Sequence, residues 1–257
     1  MMRTFIALTL LLSSIASYAQ RRDSTDANIL SRAQLVSQTD RIEVYRDDID
    51  VDDGLAISID QLYESIEDKL GRKFDTATLG KKIKLVVSNH VRVSHVWRGY
   101  QHMNDPQAVI FLNARAFNGF KLKVNATLIH EMTHLFTWRY TSHSLREGIA
   151  DFVARAVMPN TAVGPNEANA VPVRVDWAAK YLGSNQPAPP ELTSDPEFRK
   201  HYYFLSYVLV KAMIERTSMA EFMKFYDLPY SDSLFESTFK IKRLSLLCDL
   251  KISTDCQ

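Results

Sequence analysis

Residues 128–138 read LIHEMTHLFTW, an apolar run interrupted by His130, Glu131 and His134. The spacing of its apolar positions predicts a helix, and Asn125 is placed to cap its start. Residues four apart on a helix project from nearly the same face, so His130 and His134 can aim two imidazole nitrogens at one point. Neutral imidazole is a good zinc ligand. Glu131 is turned by about 100° from His130, which sets its carboxylate beside such an ion rather than on it. There it can take a proton from an activated water, so one helix supplies two ligands and a base. Chance gives this pattern in roughly one such chain per hundred, and the plainer alternative is three polar residues on a half-exposed helix face.

A catalytic zinc takes three protein ligands and keeps one position open. The next predicted helix, Leu145–Met158, offers Glu147 near its start, within SLREGIADFVARAV. Asp151, four residues on, shares its face and could accept the second ring N–H of a liganding histidine, His130 in the first place, fixing its tautomer. Each carboxylate has a simpler reading. Glu147 could be an acid favoured by the helix N-terminus, Asp151 a solvated position, and Arg146 and Arg155 their ion-pair partners.

The rest of the chain gives these helices a setting. Arg3 precedes the apolar run Phe5–Leu12, and Ser17-Tyr18-Ala19 suits signal peptidase. Residues 1–19 therefore read as a cleaved secretory signal, which predicts a secreted or periplasmic protein; an uncleaved anchor is the alternative. No later stretch is apolar enough for a membrane helix, so no stable membrane insertion is expected after cleavage. Loss of Arg3 leaves 30 basic and 30 acidic residues, a balance with no electrostatic footprint for nucleic acid. Cys248 and Cys256 could pair in an exported protein or remain two thiols.

Residues 20–40 are polar with weak periodicity and are expected to form a flexible arm or short pro-segment. Strands are expected at Ile42–Tyr45, Ile83–Val87 and Ala108–Leu112, and a helix at Leu55–Leu70. Further helices are expected over 172–182, over 196–216 and from 219 onward, where Ser218-Met219-Ala220-Glu221 has capping-box form. The fold class is α+β: one domain over 41–257, with a small β/α lobe at 41–125 and a mainly helical lobe at 126–257.

His130-Glu131-Met132-Thr133-His134, followed by Glu147-Gly148-Ile149-Ala150-Asp151 and Phe152, resembles the two signatures of the gluzincin metallopeptidases. That superfamily contains thermolysin and the zinc aminopeptidases, and the chain looks most like its small, minimal peptidase domains. The specific match covers Leu128–Val157. One departure is Ser144, where many relatives carry tryptophan three residues before the liganding glutamate. The resemblance implies a zincin-like fold with a small mixed sheet and one zinc ion held by His130, His134 and Glu147. It also implies Glu131 as general base and a peptide or protein as substrate. Relatives stabilise the tetrahedral oxyanion with a tyrosine or histidine from the helical lobe. Tyr203, with Ser206 three residues later, is the first choice for that role, and Tyr202 and His201 compete with it. Relatives pair extended substrate with an edge strand, for which Ala108–Asn113 is the counterpart; an interior strand without a ligand role is the alternative. No Gly-x-Met-Glu-Asn-type stretch precedes His130, which points toward an endopeptidase rather than an aminopeptidase.

Two rival functions stand beside this one. A non-catalytic binding or assembly module could keep a metal site for stability, although a structural site needs no base at Glu131. A zinc hydrolase could act instead on a non-protein or cell-wall amide. His90, His95, His102 and His143 read as surface or core histidines, lacking an i, i+4 ligand partner in comparable context. Trp97, Tyr100 and His102 could line a cleft or cover the core, and Asn125-Ala126-Thr127 fits the N-glycosylation pattern.

Overall fold

The computed structural model describes residues 25–97, 108–117, 126–159 and 173–256. The expected signal, Tyr100, His102 and the Asn125 cap lie outside them. The chain divides into two compact units. The first takes the described residues up to 61 and from 75 to 117, and the second takes 62–74 and those from 126 onward.

In the first unit a five-stranded mixed sheet runs in the order β1 (Gln34–Gln38), β2 (Ile42–Asp47), β3 (Ile83–Ser88), β5 (Ala108–Asn113), β4 (His95–Val96). The three central strands are parallel, with Ile42 beside Ile83 beside Ala108 and Val44 beside Leu85 beside Ile110. The two outer strands are antiparallel. Parallel strands are covered on both faces and so read as unbroken apolar runs; five of the six β5 residues are buried. On one face Val86, Val109 and Phe111 gather beneath Ile29, Val91 and Trp97. Ile29 comes from helix α1 (25–32), which two polar contacts fasten to the sheet. Arg32 makes paired hydrogen bonds to Asp47 at 2.6 and 2.9 Å, and Ser88 Oγ adds a third at 2.7 Å. Led by Arg32, these bonds outweigh burial and hold the Asp47 carboxyl below its usual range. Asp26 Oδ2 lies 2.8 Å from His95 Nε2, and the His95 ring stacks on Phe111.

Two expectations are corrected here. Residues 20–40 are not an arm throughout, because from residue 25 they supply α1 and β1. β1 lies at the sheet edge and exposes three of its five residues, so its sequence lacks an apolar strand pattern. Nor is Ala108–Asn113 an edge strand. β4 covers its outer side, the Trp97 N–H donates to the Val109 carbonyl at 2.9 Å, and the Asn113 N–H donates to Ser94 Oγ at 3.1 Å. Trp97 belongs to the core beneath it.

Helix α2 (Leu55–Leu70) begins in the first unit and ends in the second. Leu55, Ile59, Tyr63, Ile66 and Leu70 are buried at the helical period. Short helix α3 (Thr76–Leu79) precedes β3. The centre of the second unit is formed by α4 (Ala126–Phe136), α5 (His143–Val157) and α8 (Pro196–Arg216), with α5 packed on both others. Asp195 caps α8 by accepting from the N–H groups of Glu197 and Phe198 at 2.9 and 3.0 Å, with proline in the first turn. Ser218 caps α9 (Met219–Tyr226) in the same way, but the Glu221 side chain takes Lys224 Nζ at 2.6 Å, so the expected capping box forms by half.

The helix expected over 172–182 shrinks to α6 (Ala178–Tyr181). Upstream of it Val175 instead forms a β-bridge with Ser253, its N–H donating to the Ile252 carbonyl at 3.0 Å, and residues 176–177 turn into α6. Arg243 Nη1 donates to the carbonyls of Ala179 and Leu182 at 2.7 and 2.9 Å, a cation at the C-terminal end of α6. After α7 (Glu191–Ser194), α8 and α9, helix α10 (Asp232–Phe239) packs Phe235 and Phe239 on Phe225. Helix α11 (Arg243–Asp249) leads to a Cys248–Cys256 disulfide. Among the described residues, no helix is long and apolar enough to cross a membrane.

The disulfide closes a loop of sequence separation 8, for which chain entropy gives about 2.5 kcal/mol. Replacing both cysteines with serine is expected to lower unfolding free energy by up to that amount, read as a lower denaturant midpoint.

Candidate metal centre

Helix α4 buries Leu128, Ile129, Met132, Leu135 and Phe136 and turns its two histidines toward α5. His130 Nε2 and His134 Nε2 lie 3.0 Å apart. Glu147 Oε2, from the first turns of α5, lies 3.2 Å from the former and 3.3 Å from the latter. The three donors thus form a nearly equilateral triangle. Around a four-coordinate ion with bonds of about 2.0 Å, donors stand about 3.3 Å apart. The arrangement fits a small divalent ion, and these three residues could hold one.

The chemistry of the donors agrees with the geometry. Three electron-rich atoms this close need positive charge among them. Burial disfavours a charged His130 ring, but its hydrogen bonds to Asp151 and Glu147 outweigh that and hold its pKa well above the ordinary value. Burial, helped by Arg146, pushes His134 down to about 3, so its ring is neutral at neutral pH. Burial also opposes charge on Glu147, yet the two imidazoles and Arg146 hold its carboxyl well below the usual range. The site therefore keeps an ionised carboxylate and a neutral imidazole, both in ligand form.

Asp151 Oδ1 stands 2.7 Å from His130 Nδ1. That bond keeps a proton on Nδ1, so Nε2 is the nitrogen that would face an ion once it has given up its own proton. The buried His134 Nδ1 makes no hydrogen bond among the described residues. Glu131 is 8% exposed and follows His130 on the helix, outside the triangle. It lies close enough to help raise both the His130 and the Tyr203 pKa.

On α8, Tyr203 sets its ring edge-on to His130 with centroids 6.3 Å apart. Burial, then the charges of Glu147, Glu131 and Asp151, raise its pKa, so its hydroxyl keeps its proton. Tyr202, one residue earlier, is 1% exposed. Its hydroxyl lies 3.1 Å from His143 Nδ1 and is also reached by Ser144. His201 is half-buried beside them.

Four residues to which the sequence assigned no ligand or catalytic role shape this site. His143 is neither a bystander nor a generic core residue. It stands four positions before Glu147, and its Nε2 lies 3.5 Å from Glu147 Oε1. That i, i+4 spacing was legible in the sequence. Arg146 Nη1 approaches the same oxygen at 3.8 Å and stacks over Tyr140, whereas Arg155 stacks over Tyr207. Ser144 is buried and accepts the Gly183 N–H at 2.8 Å. Gly148 lets α5 and α8 meet, since a Cβ there would stand 2.3 Å from the Ser206 carbonyl oxygen and 2.6 Å from Val210 Cγ2. In the first unit, His95 pairs with Asp26, and His90 approaches Asp48 at 3.6 Å.

Neither a protein-family model nor a curated protein matches this chain.

Gly148→Ala is expected to force α8 from α5 and to destabilise the protein by at least about 1–3 kcal/mol, the usual cost of overpacking. Denaturant unfolding of the metal-free variant checks this; a midpoint equal to the parent's would mean that the two helices separate without cost.

Proposed function

We propose that this chain is a zinc-dependent metallopeptidase of gluzincin type, in which His130, His134 and Glu147 hold the ion. The convergence of their three donor atoms at 3.0, 3.2 and 3.3 Å carries the reading, because two neighbouring helices meet there with ligand chemistry. The motif order along the chain supports it, and so does Glu131, a carboxylate beside the triangle that a purely structural site would not need. A gluzincin assignment carries with it a zincin-like architecture for this mixed α+β chain. The Cys248–Cys256 disulfide is in keeping with an exported protein.

Zinc bound there supplies Lewis-acid polarisation of a water and of the substrate carbonyl. The protein supplies the remainder. Glu131 takes the water's proton on its carboxylate as the water attacks the peptide carbonyl, and delivers it to the leaving nitrogen. Asp151 holds the His130 ring in one tautomer through Nδ1. Tyr203 keeps its hydroxyl protonated and presents it as the donor to the developing oxyanion. The substrate is a peptide or protein.

Metal analysis with a peptide-library digest at neutral pH tests this reading. Glu131→Gln is expected to keep the metal and lose peptide hydrolysis by about 10²–10⁴-fold. Equal cleavage by parent and variant, or a parent that takes up no zinc, removes the proposal. Metal retained without cleavage of any peptide favours a binding module or a different amide as substrate. Separately, Asp151→Asn is expected to weaken zinc affinity by about 10–100-fold, measured by chelator competition.

A further inference from the structure

The two oxygens of Glu147 face different groups. Oε2 completes the triangle with the two histidines, at 3.2 and 3.3 Å. Oε1 points away from it, toward His143 Nε2 at 3.5 Å and Arg146 Nη1 at 3.8 Å. His143 is in turn fixed at its other nitrogen, where the Tyr202 hydroxyl lies 3.1 Å from Nδ1. The His143 and Tyr202 rings also pack, with centroids 5.7 Å apart. Tyr202 is fully buried, and Trp177 and Phe198 pack against its ring.

Proton arithmetic orders these contacts. A carboxylate oxygen has no proton to give, so the His143 tautomer that suits both neighbours carries its hydrogen on Nε2, facing Oε1. In the neutral ring Nδ1 is then an acceptor, and the Tyr202 hydroxyl is its donor. The direction of donation therefore runs from Tyr202 to His143 to Glu147. The final step, at 3.5 Å, is long for a hydrogen bond, so His143 acts mainly by directing a polar N–H at one oxygen.

We propose that His143, held by Tyr202, is a positioning residue that keeps Glu147 a one-oxygen ligand. It anchors Oε1 and so presents Oε2 alone to the ion. The consequence is a specific division of labour on α8, where Tyr203 faces the site and its neighbour Tyr202 sets the geometry of a ligand from behind. This inference rests on His130, His134 and Glu147 being metal ligands, and it holds whether or not the substrate is a peptide.

The test is zinc and cobalt(II) binding to the metal-free full chain by chelator competition, with the cobalt absorption spectrum as second readout. His143→Ala is expected to weaken binding by about 10–100-fold and to alter the cobalt spectrum. His143→Gln places an amide N–H near the position of Nε2–H, and is expected to restore affinity to within about threefold of the parent and to restore the spectrum. Tyr202→Phe is expected to fall between them. Circular dichroism of each metal-free variant checks folding. If the alanine variant does not fold, the glutamine and phenylalanine variants decide: a glutamine variant that binds less tightly than Tyr202→Phe overturns the proposal. It is also overturned if His143→Ala binds as the parent does, or if the glutamine variant is as weak as the alanine variant, since bulk rather than donation would then matter. A parent that binds neither metal overturns the metal reading and this inference together; a parent that binds both while His143→Ala is unaffected overturns this inference alone.

Discussion

The Ser206 carbonyl oxygen occupies the space where any side chain at position 148 would begin. Two helix backbones touch there, and the touch determines what else can be near. Glu147 precedes the contact on α5, while Tyr202 and Tyr203 lie one turn before it on α8. Moving α8 outward by the width of a methyl group would separate the tyrosines from the carboxylate that shifts them and the imidazoles they pack on. Ser206 is itself small and fully buried, so both sides of the contact have given up bulk to allow it. Packing at this point sets how closely α8 and its tyrosines approach α5.

Electrostatics then acts within a frame that packing has fixed. Glu131, Glu147 and His134 are each less than a tenth exposed, which is costly for polar groups unless partners compensate. The compensation is uneven. Asp151 and Glu147 both lean on His130, Arg146 and His143 lean on Glu147, and His134 Nδ1 has no hydrogen-bond partner among the described residues. A core selected for stability alone would not keep such a group, and local rule-breaking of this kind tends to mark functional positions.

Much of this was legible in the chain, and the illegible parts share a cause. Helices at Leu55–Leu70 and Pro196–Arg216 have the limits read for them in the sequence, because helix signals are local. The donor triangle was legible too, since i, i+4 spacing on one helix and a carboxylate early in the next leave few ways to arrange three ligands. The choice between Tyr202 and Tyr203 was not. They are adjacent on a helix and differ by about 100° in direction, and which of them faces His130 depends on how α8 is rotated against α5. β1 escaped notice because an edge strand with polar faces has no apolar alternation to betray it. The helix assigned to 172–182 failed because Val175 found a partner at Ser253, far along the chain, and no local window contains both. His143 was a different kind of miss: its spacing to Glu147 was visible, but it was weighed as a metal ligand and not as a neighbour of one.

The Val175–Ser253 bridge also bears on how the protein is made. Synthesis adds roughly 5–20 residues per second, so Val175 waits about 4–16 s for its partner to emerge. During that interval the segment leading into Trp177, and the ring stack it joins with Phe198 and Tyr202, has no strand to lean on. The helices that carry the candidate ligands can assemble early, while the buttress behind Tyr202 closes late. A nascent chain would therefore hold its ligand helices in place some seconds before the layer that steadies them is complete.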